Sequence, residues 1–456
     1  MQYRQTVRHQ IRRFISVRRP IQFVLNGLSR LKEKYRKLII PKTLNTATAI
    51  RTDHIRSLSS NEMTPYLLFL LFWTCVPICS GSKLLQIQAI WRHGDRTPTG
   101  TYPTDPNQAS AWPVPWGELT TRGMWQQYTQ GLKLKQEYVD KLTLISSNYK
   151  SSEIYVRSTD FDRTLASAYS NLAGFYSDSN GTYPNGTVWP ARWTPIPVHT
   201  TSKDKDELLF IVGRCPRRAE LRRAQNTDSR VLKLLKDNSD LIDLIQEEGK
   251  IKIDGIYKLY EFWNILLIER LHNLPWPEWI TEEVYQRIYK IAGPGFGYTW
   301  GGAAFGIPES VELTKVSFGY LTTHMIEKMK KRLNGTDKTL YYAYSAHDAN
   351  VDGFLRTLGA KEALVGELAV DYAATVVLEL WEMEKGEPHV RLRFSANSET
   401  PFVTATDKIS GCTKAEFCPL NTFIGNRKEY LIYDEKKACA SKTDRPFERD
   451  QVNDFY

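Results

Sequence analysis

The stretch KLLQIQAIWRHGDRTP, Lys83 to Pro98, runs from an apolar segment straight into Arg92, His93, Asp95 and Arg96. Lys83 to Trp91 has the length and the Ile and Trp content of a buried strand, so this charge stands at a strand's carboxyl end. Two further segments break off in the same way. SEIYVRSTD, Ser152 to Asp160, is a short strand ending at Arg157, and TLYYAYSAHDAN, Thr339 to Asn350, is a strand ending at His347 and Asp348.

Between the strands the apolar spacing is helical. An amphipathic helix is expected from about Thr120 to Leu142, with Met124, Tyr128 and Leu132 on one face. Another covers DFDRTLASAYSNLAGFY, with Leu165, Ala168, Leu172 and Phe175 in register, and a third runs from Ser310 to Leu333, stopped by Asn334-Gly335. Asp204 to Pro308 is almost wholly helical in pattern, punctuated by NLPWPEW and GPGFGYTWGG, and AATVVLELWEMEKGEPHVRLRFSA reads as a β-hairpin turning near Gly386. Strands alternating with helices predict an α/β fold, a central, mostly parallel sheet flanked by helices. The expected organisation is an α/β domain over 83–203 and 309–440, an inserted all-helical domain over 204–308, and a polar tail over 441–456.

In such sheets ligands sit beyond the carboxyl ends of the strands. Convergence of the three strand ends puts Arg92, Arg96 and Arg157 with His93 and His347 around one small volume. Guanidinium forks facing one point favour a phosphate or sulfate dianion. Among such cations His93 resists protonation, and a neutral imidazole is a competent nucleophile. Asp348 is the candidate acid for a leaving alkoxide, which predicts an acid optimum because a carboxyl keeps its proton best at low pH. Each residue also has a plainer reading: Arg157 as an ion pair to Asp160 or Asp162, and Asp348 as the cap of a helix starting near Asn350.

The formal charge of +10 belongs to a leader. Met1–Glu62 holds 14 of the 61 basic residues and three of the 51 acids, leaving 47 against 48 in the rest. The folded part therefore has no basic surplus for nucleic acid. No charge interrupts the run from Met63 to Ser82, whose densest apolar part, Tyr66 to Cys79, has the length of a signal-peptide core and is followed by Ser80, Gly81 and Ser82. The expectation is a start at Met63 and a signal peptide over 63–82, hence the secretory route, outside the cell or in the lysosome. The alternative keeps 1–62 as a cytoplasmic arm and the apolar stretch as an uncleaved type II anchor; only then is a membrane a partner.

Beyond that stretch the cysteines are Cys215, Cys412, Cys418 and Cys439, an even number that suits an oxidised protein and allows three pairings. Their spacing does not suit zinc, and no metal or cofactor is expected. Asn180-Gly-Thr, Asn185-Gly-Thr and Asn334-Gly-Thr are glycosylation sequons.

RHGDRTP, Arg92 to Pro98, resembles the signature of the histidine acid phosphatases, a branch of the two-histidine phosphoesterase superfamily. VRSTDFDRTLASA, Val156 to Ala168, and YSAHDAN, Tyr344 to Asn350, resemble that family's other two motifs in order and spacing. The likeness runs from about Lys83 to Cys439 and is to the prostatic and lysosomal type. It implies a phosphoglycerate-mutase-like sheet with a helical insert, His93 as the nucleophile that becomes phosphohistidine, and Asp348 as proton donor. Arg92, Arg96, Arg157 and His347 would hold the phosphate, and the disulfides would be Cys412–Cys418 and Cys215–Cys439. The family's third disulfide has no counterpart here, and the end of the chain, DRPFERDQVNDFY, is polar where lysosomal-type members carry a membrane span.

The expected activity is hydrolysis of small-molecule or protein phosphomonoesters, with a homodimer as the possible assembly. A phytase-like phosphatase with restricted substrates is the rival enzyme, since the same motifs serve both. A secreted binder that keeps the fold without turnover is the rival from another class.

Overall fold

The computed structural model describes residues 81–443 apart from 187, 191, 211–214 and 413–414. The leader, the apolar stretch and residues 444–456 of the tail lie outside the described residues. Seven strands form one sheet: β1 (Lys83–Arg92), β2 (Ile154–Ser158), β3 (Tyr341–Ala346), β4 (Thr375–Glu382), β5 (Pro388–Ser395), β6 (Val403–Thr404) and β7 (Cys418–Pro419). Their order is β2-β3-β1-β4-β5-β6, with β7 on β5. β2, β3 and β1 are parallel, whereas the pairings from β1 to β4 onward are antiparallel. The sheet is thus mixed rather than mostly parallel. Its parallel part is the part whose ends carry the charged residues, and the hairpin around Lys385 and Gly386, both at positive φ, turns the rest back.

Alternation along β1 and β3 splits the core in two. Ile90, Tyr342 and Tyr344 pack with Leu321 and Met325 of helix α8 (Val311–Leu333) and with Val351 and Phe354 of α9 (Asp348–Thr357). On the other face Ala89, Trp91, Tyr341 and Ala343 meet Leu134 of α1 (Thr121–Lys135) and Leu172 and Phe175 of α2 (Asp162–Phe175). With both faces covered, β3 is buried throughout.

Helix α1 reverses one expectation. Met124 and Leu132 are exposed, and the buried face is Gly123, Gln127, Gln130, Gly131 and Leu134. That face lies against strand ends, where backbone carbonyls need donors. Gln127 donates to the carbonyl of Arg92 at 2.7 Å and Gln130 to that of Ala373 at 2.6 Å. A side chain on Gly131 would overlap the backbone of Asn171, and one on Gly174 that of Tyr128, so α1 and α2 cross at backbone contact.

The segment expected as the insert holds α3 (Pro216–Asn226), α4 (Ser229–Asp237), α5 (Ser239–Gly249), α6 (Ile256–Leu271) and α7 (Glu282–Thr299). The described residues belong to one compact unit. Tyr102, Phe161, Phe318 and Ala349 of the α/β part share a hydrophobic cluster with Leu259, Phe262 and Phe296 of the insert. Cys215, at the start of α3, is bonded to Cys439, and Cys412 to Cys418.

Candidate active site

Strand register brings the first two motifs' ends together. Arg92 lies beside Ala346 across the β1–β3 pair, and the His93 amide donates to the Ala346 carbonyl at 2.9 Å. The chain therefore delivers His93 and His347 side by side, their ring centroids 5.5 Å apart in an edge arrangement. Both imidazoles are buried. A side chain on Gly94 would overlap the Gly123 backbone, so the loop can follow this path against α1 only with glycine at both positions.

His93 Nδ1 is 2.8 Å from the Gly94 carbonyl. A carbonyl only accepts, so the proton sits on Nδ1 and the Nε2 lone pair is the reactive one. His347 Nε2 is 3.0 Å from the hydroxyl of Thr159. Burial holds both rings well below the ordinary imidazole range, and the guanidiniums of Arg163, Arg92 and Arg96 push them further down. Both rings are thereby biased toward the neutral form.

Of the sequence-predicted residues, His93, Arg96, His347 and Asp348 line one cavity of about 190 Å³. Arg96 is held by its Nη1 on the Thr97 carbonyl at 2.9 Å and its Nη2 on Asn264 of α6 at 3.3 Å. Asp348 is the first residue of α9, two positions earlier than the expected helix start, and His347 is the N-cap. Its Oδ1 accepts from the Ala349 amide at 2.8 Å, and its Oδ2 is 3.0 Å from Nη2 of Arg92. Arg92 is not among the residues lining the cavity. Its guanidinium is committed to Asp348, to the Val370 carbonyl at 2.6 Å, and to the face of Tyr372, 4.2 Å from the ring centre.

Arg157 requires a correction. It lies opposite Tyr344 in register, and cross-strand partners share a face; that face leads to α8. There its Nη2 pairs with Asp206 at 3.0 Å, both side chains buried, and it does not line the cavity. The arginine that this motif brings into the cavity, beside Arg96, is Arg163, one position into α2, with Nη2 3.5 Å from His347 Nδ1. The same motif contains it, in the first turn of the following helix rather than at the strand end.

Asp95 serves the frame. Fully buried, it accepts from the hydroxyl of Thr120, the N-cap of α1, at 2.5 Å and lies 3.0 Å from His272 Nε2, just past α6. The motif loop is thereby pinned to both the α/β part and the insert. The far wall of the cavity comes from the insert: Tyr257, Tyr260, Phe296 and Trp300 with the pair Lys258–Glu261, 3.1 Å apart. The constellation is thus a neutral imidazole with an outward lone pair, two guanidiniums, a second imidazole and a carboxyl at a helix start, facing an aromatic wall.

Residues 83–395 match the family model described as histidine phosphatase superfamily (branch 2). The chain is 30% identical to lysosomal acid phosphatase of Xenopus laevis, over 82% of this chain and 83% of that one. It is equally 30% identical to prostatic acid phosphatase of Mus musculus, over 82% of this chain and 93% of the relative. Among solved structures it resembles Hafnia alvei phytase in complex with myo-inositol hexakis sulphate, with a TM-score of 0.57, 17% identity and coverage of 79% and 99%; at that identity the likeness concerns the fold. With the family match covering the sheet, the insert and all three strand ends, the chain belongs to branch 2 of the histidine phosphatase superfamily and is a phosphatase of the acid phosphatase kind.

Proposed function

We propose that the chain hydrolyses small phosphate monoesters with His93 as nucleophile and Asp348 as proton donor. The phosphoryl group binds between Arg96, Arg163 and His347. His93 Nε2 attacks phosphorus in line with the ester oxygen, the P–O bond breaks, and the Asp348 proton goes to the departing alkoxide. Water then attacks the phosphohistidine, gives its proton to the Asp348 carboxylate, and leaves inorganic phosphate as the P–N bond breaks. Arg163 and Arg96 stabilise the charge on the equatorial oxygens. Arg92 orients Asp348.

The observation that carries this reading is the His93 Nδ1 contact with the Gly94 carbonyl at 2.8 Å, which aims the lone pair of a buried, neutral imidazole outward. The aromatic wall favours small monoesters over a phytase-like polyphosphate substrate. Its one lysine, Lys258, is neutralised by Glu261, so a multiply phosphorylated leaving group meets no net positive charge there.

The protein follows the secretory route by this reading, with 63–82 removed and Asn180, Asn185 and Asn334, all exposed, glycosylated. The disulfides suit that compartment. The test is hydrolysis of p-nitrophenyl phosphate between pH 3 and 9 in EDTA, with acid-quench trapping of phosphoenzyme. The expected result is an acid optimum and trapped phosphohistidine that disappears in His93→Ala; full activity of that variant would overturn the assignment.

A further inference from the structure

The glycine-rich segment GPGFGYTWGG, Gly293 to Gly302, ends α7 and carries Phe296 and Trp300 of the cavity wall. Its last residues close the helix with a specific turn. The Gly302 amide donates to the Gly297 carbonyl at 2.8 Å and the Gly301 amide to that of Tyr298 at 3.0 Å, with Gly301 at φ 100°. This is the pairing that ends a helix with a glycine in the left-handed region. Gly301 is explained by the turn, but Gly297 and Gly302 are not.

What they make room for is Arg356. A side chain on Gly297 or on Gly302 would overlap the Arg356 guanidinium, which is buried in the hollow the two glycines leave. Arg356 sits on α9, two turns beyond Asp348. It is held there by Nε on Asp352 Oδ2 at 2.8 Å and by Nη1 on Glu362 at 3.3 Å, and Lys361 shares Asp352 at 3.4 Å. A second strut runs parallel to it. A side chain on Gly353 would overlap the ring of Phe318, and Phe318 packs on Trp300 with ring centroids 5.5 Å apart. The helix that begins with the proton donor is therefore keyed, through a planar cation fitted against backbone, to the end of the helix that forms the leaving-group wall.

We propose that Arg356 is a positioning residue that sets the distance between the aromatic leaving-group wall and Asp348, and so selects among leaving groups. The inference rests on the phosphomonoesterase reading above. Pinned by Asp352 and Glu362 against the two glycines, the planar guanidinium serves as a spacer, and displacing a positioned wall by about 1 Å costs up to roughly a hundredfold in rate.

The test compares kcat/KM for phenyl phosphate and methyl phosphate in the full chain, a ratio unaffected by the fraction of active enzyme. Arg356→Gln and Gly302→Ala should each lower the phenyl-to-methyl ratio roughly tenfold or more, while the inhibition constant of inorganic phosphate stays within about twofold. Because one substitution removes the guanidinium from the hollow and the other occupies its place there, the double variant should be no worse than either single one. An unchanged ratio overturns the proposal, even where thermal stability falls. So does an equal loss of phosphate affinity, or losses that multiply in the double variant. If Arg356→Gln does not fold, Arg356→Lys and Gly302→Ala carry the same comparison. A wild-type protein that hydrolyses neither ester would fail the phosphatase reading itself, a different result from an active enzyme with an unmoved ratio.

Discussion

Arg157 and Arg163, six residues apart in one motif, are sent to different places by the fold: the first pairs with Asp206 at 3.0 Å inside the protein, the second enters the cavity beside His347. Asp206 also accepts from the amides of Leu208 and Leu209, both at 3.0 Å, so the pair organises the start of the insert's approach segment. Two substitutions should therefore separate stability from turnover. Arg157→Ala leaves a buried carboxylate without its cation and is expected to cost about 3–5 kcal/mol of stability, with the activity of the folded fraction retained. Arg163→Ala should fold normally and lose roughly a hundred- to a thousandfold in kcat/KM, the scale of removing one preorganised charge from a transition state. Urea denaturation and steady-state kinetics on both variants check this, and the reverse pattern would restore Arg157 as the phosphate ligand.

This is also where sequence reading reaches its limit. The strand-end rule located His93, Arg96, His347 and Asp348, because a charged residue following a buried strand has to emerge at the sheet's edge. It could not say on which face Arg157 would lie, since a one-residue difference in register reverses the face, nor that the first turn of α2 would send Arg163 inward. The exposed face of α1 was illegible for a related reason. Met124, Tyr128 and Leu132 form a proper apolar stripe, yet the inner face had to supply Gln127 and Gln130 to carbonyls at the ends of the sheet. Apolar periodicity is blind to a polar interface of that kind. The pairs Gly94–Gly123 and Gly131–Gly174 join residues distant in sequence, and no local pattern marks them.

Asp348→Asn tests proton donation without disturbing the helix start, because asparagine can still accept from the Ala349 amide. An aryl leaving group such as p-nitrophenolate departs without a proton, whereas an alkoxide does not. The loss on methyl phosphate should therefore exceed that on p-nitrophenyl phosphate by roughly a hundredfold, the usual scale of general acid catalysis. Equal losses on both esters would show that Asp348 acts only through its pair with Arg92.

The two disulfides should differ in their worth. Cys215–Cys439 spans 224 residues and Cys412–Cys418 only six. On chain entropy alone, opening the first costs about 5 kcal/mol and the second about 2 kcal/mol. Cys215→Ser with Cys439→Ser is expected to lower the melting temperature clearly more than Cys412→Ser with Cys418→Ser, and equal shifts would assign the stabilisation to local packing instead.

Glu269 supplies a stability term suited to an acidic compartment. It is fully buried on α6, its Oε1 accepts from Asn107 at 2.9 Å, and Asp105 lies against it as a second carboxyl. Burial, then the hydrogen bond with Asp105, raises its titration to about 9. The folded protein thus holds a proton that the unfolded chain releases near the ordinary glutamate value of about 4.3. Stability from this group is complete below that value and is lost progressively as pH rises toward 9. His93 and His347 act in the opposite sense and in another window. Held neutral in the fold, they cost stability only as pH falls below about 6.5. Lys133, which burial lowers to about 8, also titrates toward the alkaline end, but it is the same in both proteins, so the difference between wild type and Glu269→Gln from pH 6.5 to 9 reads Glu269. Glu269→Gln, the isostere of the protonated acid, should melt close to wild type at pH 5 and increasingly above it toward pH 9, flattening the alkaline fall. Parallel melting curves for the two proteins across that range would mean that Glu269 and Asp105 do not share a proton.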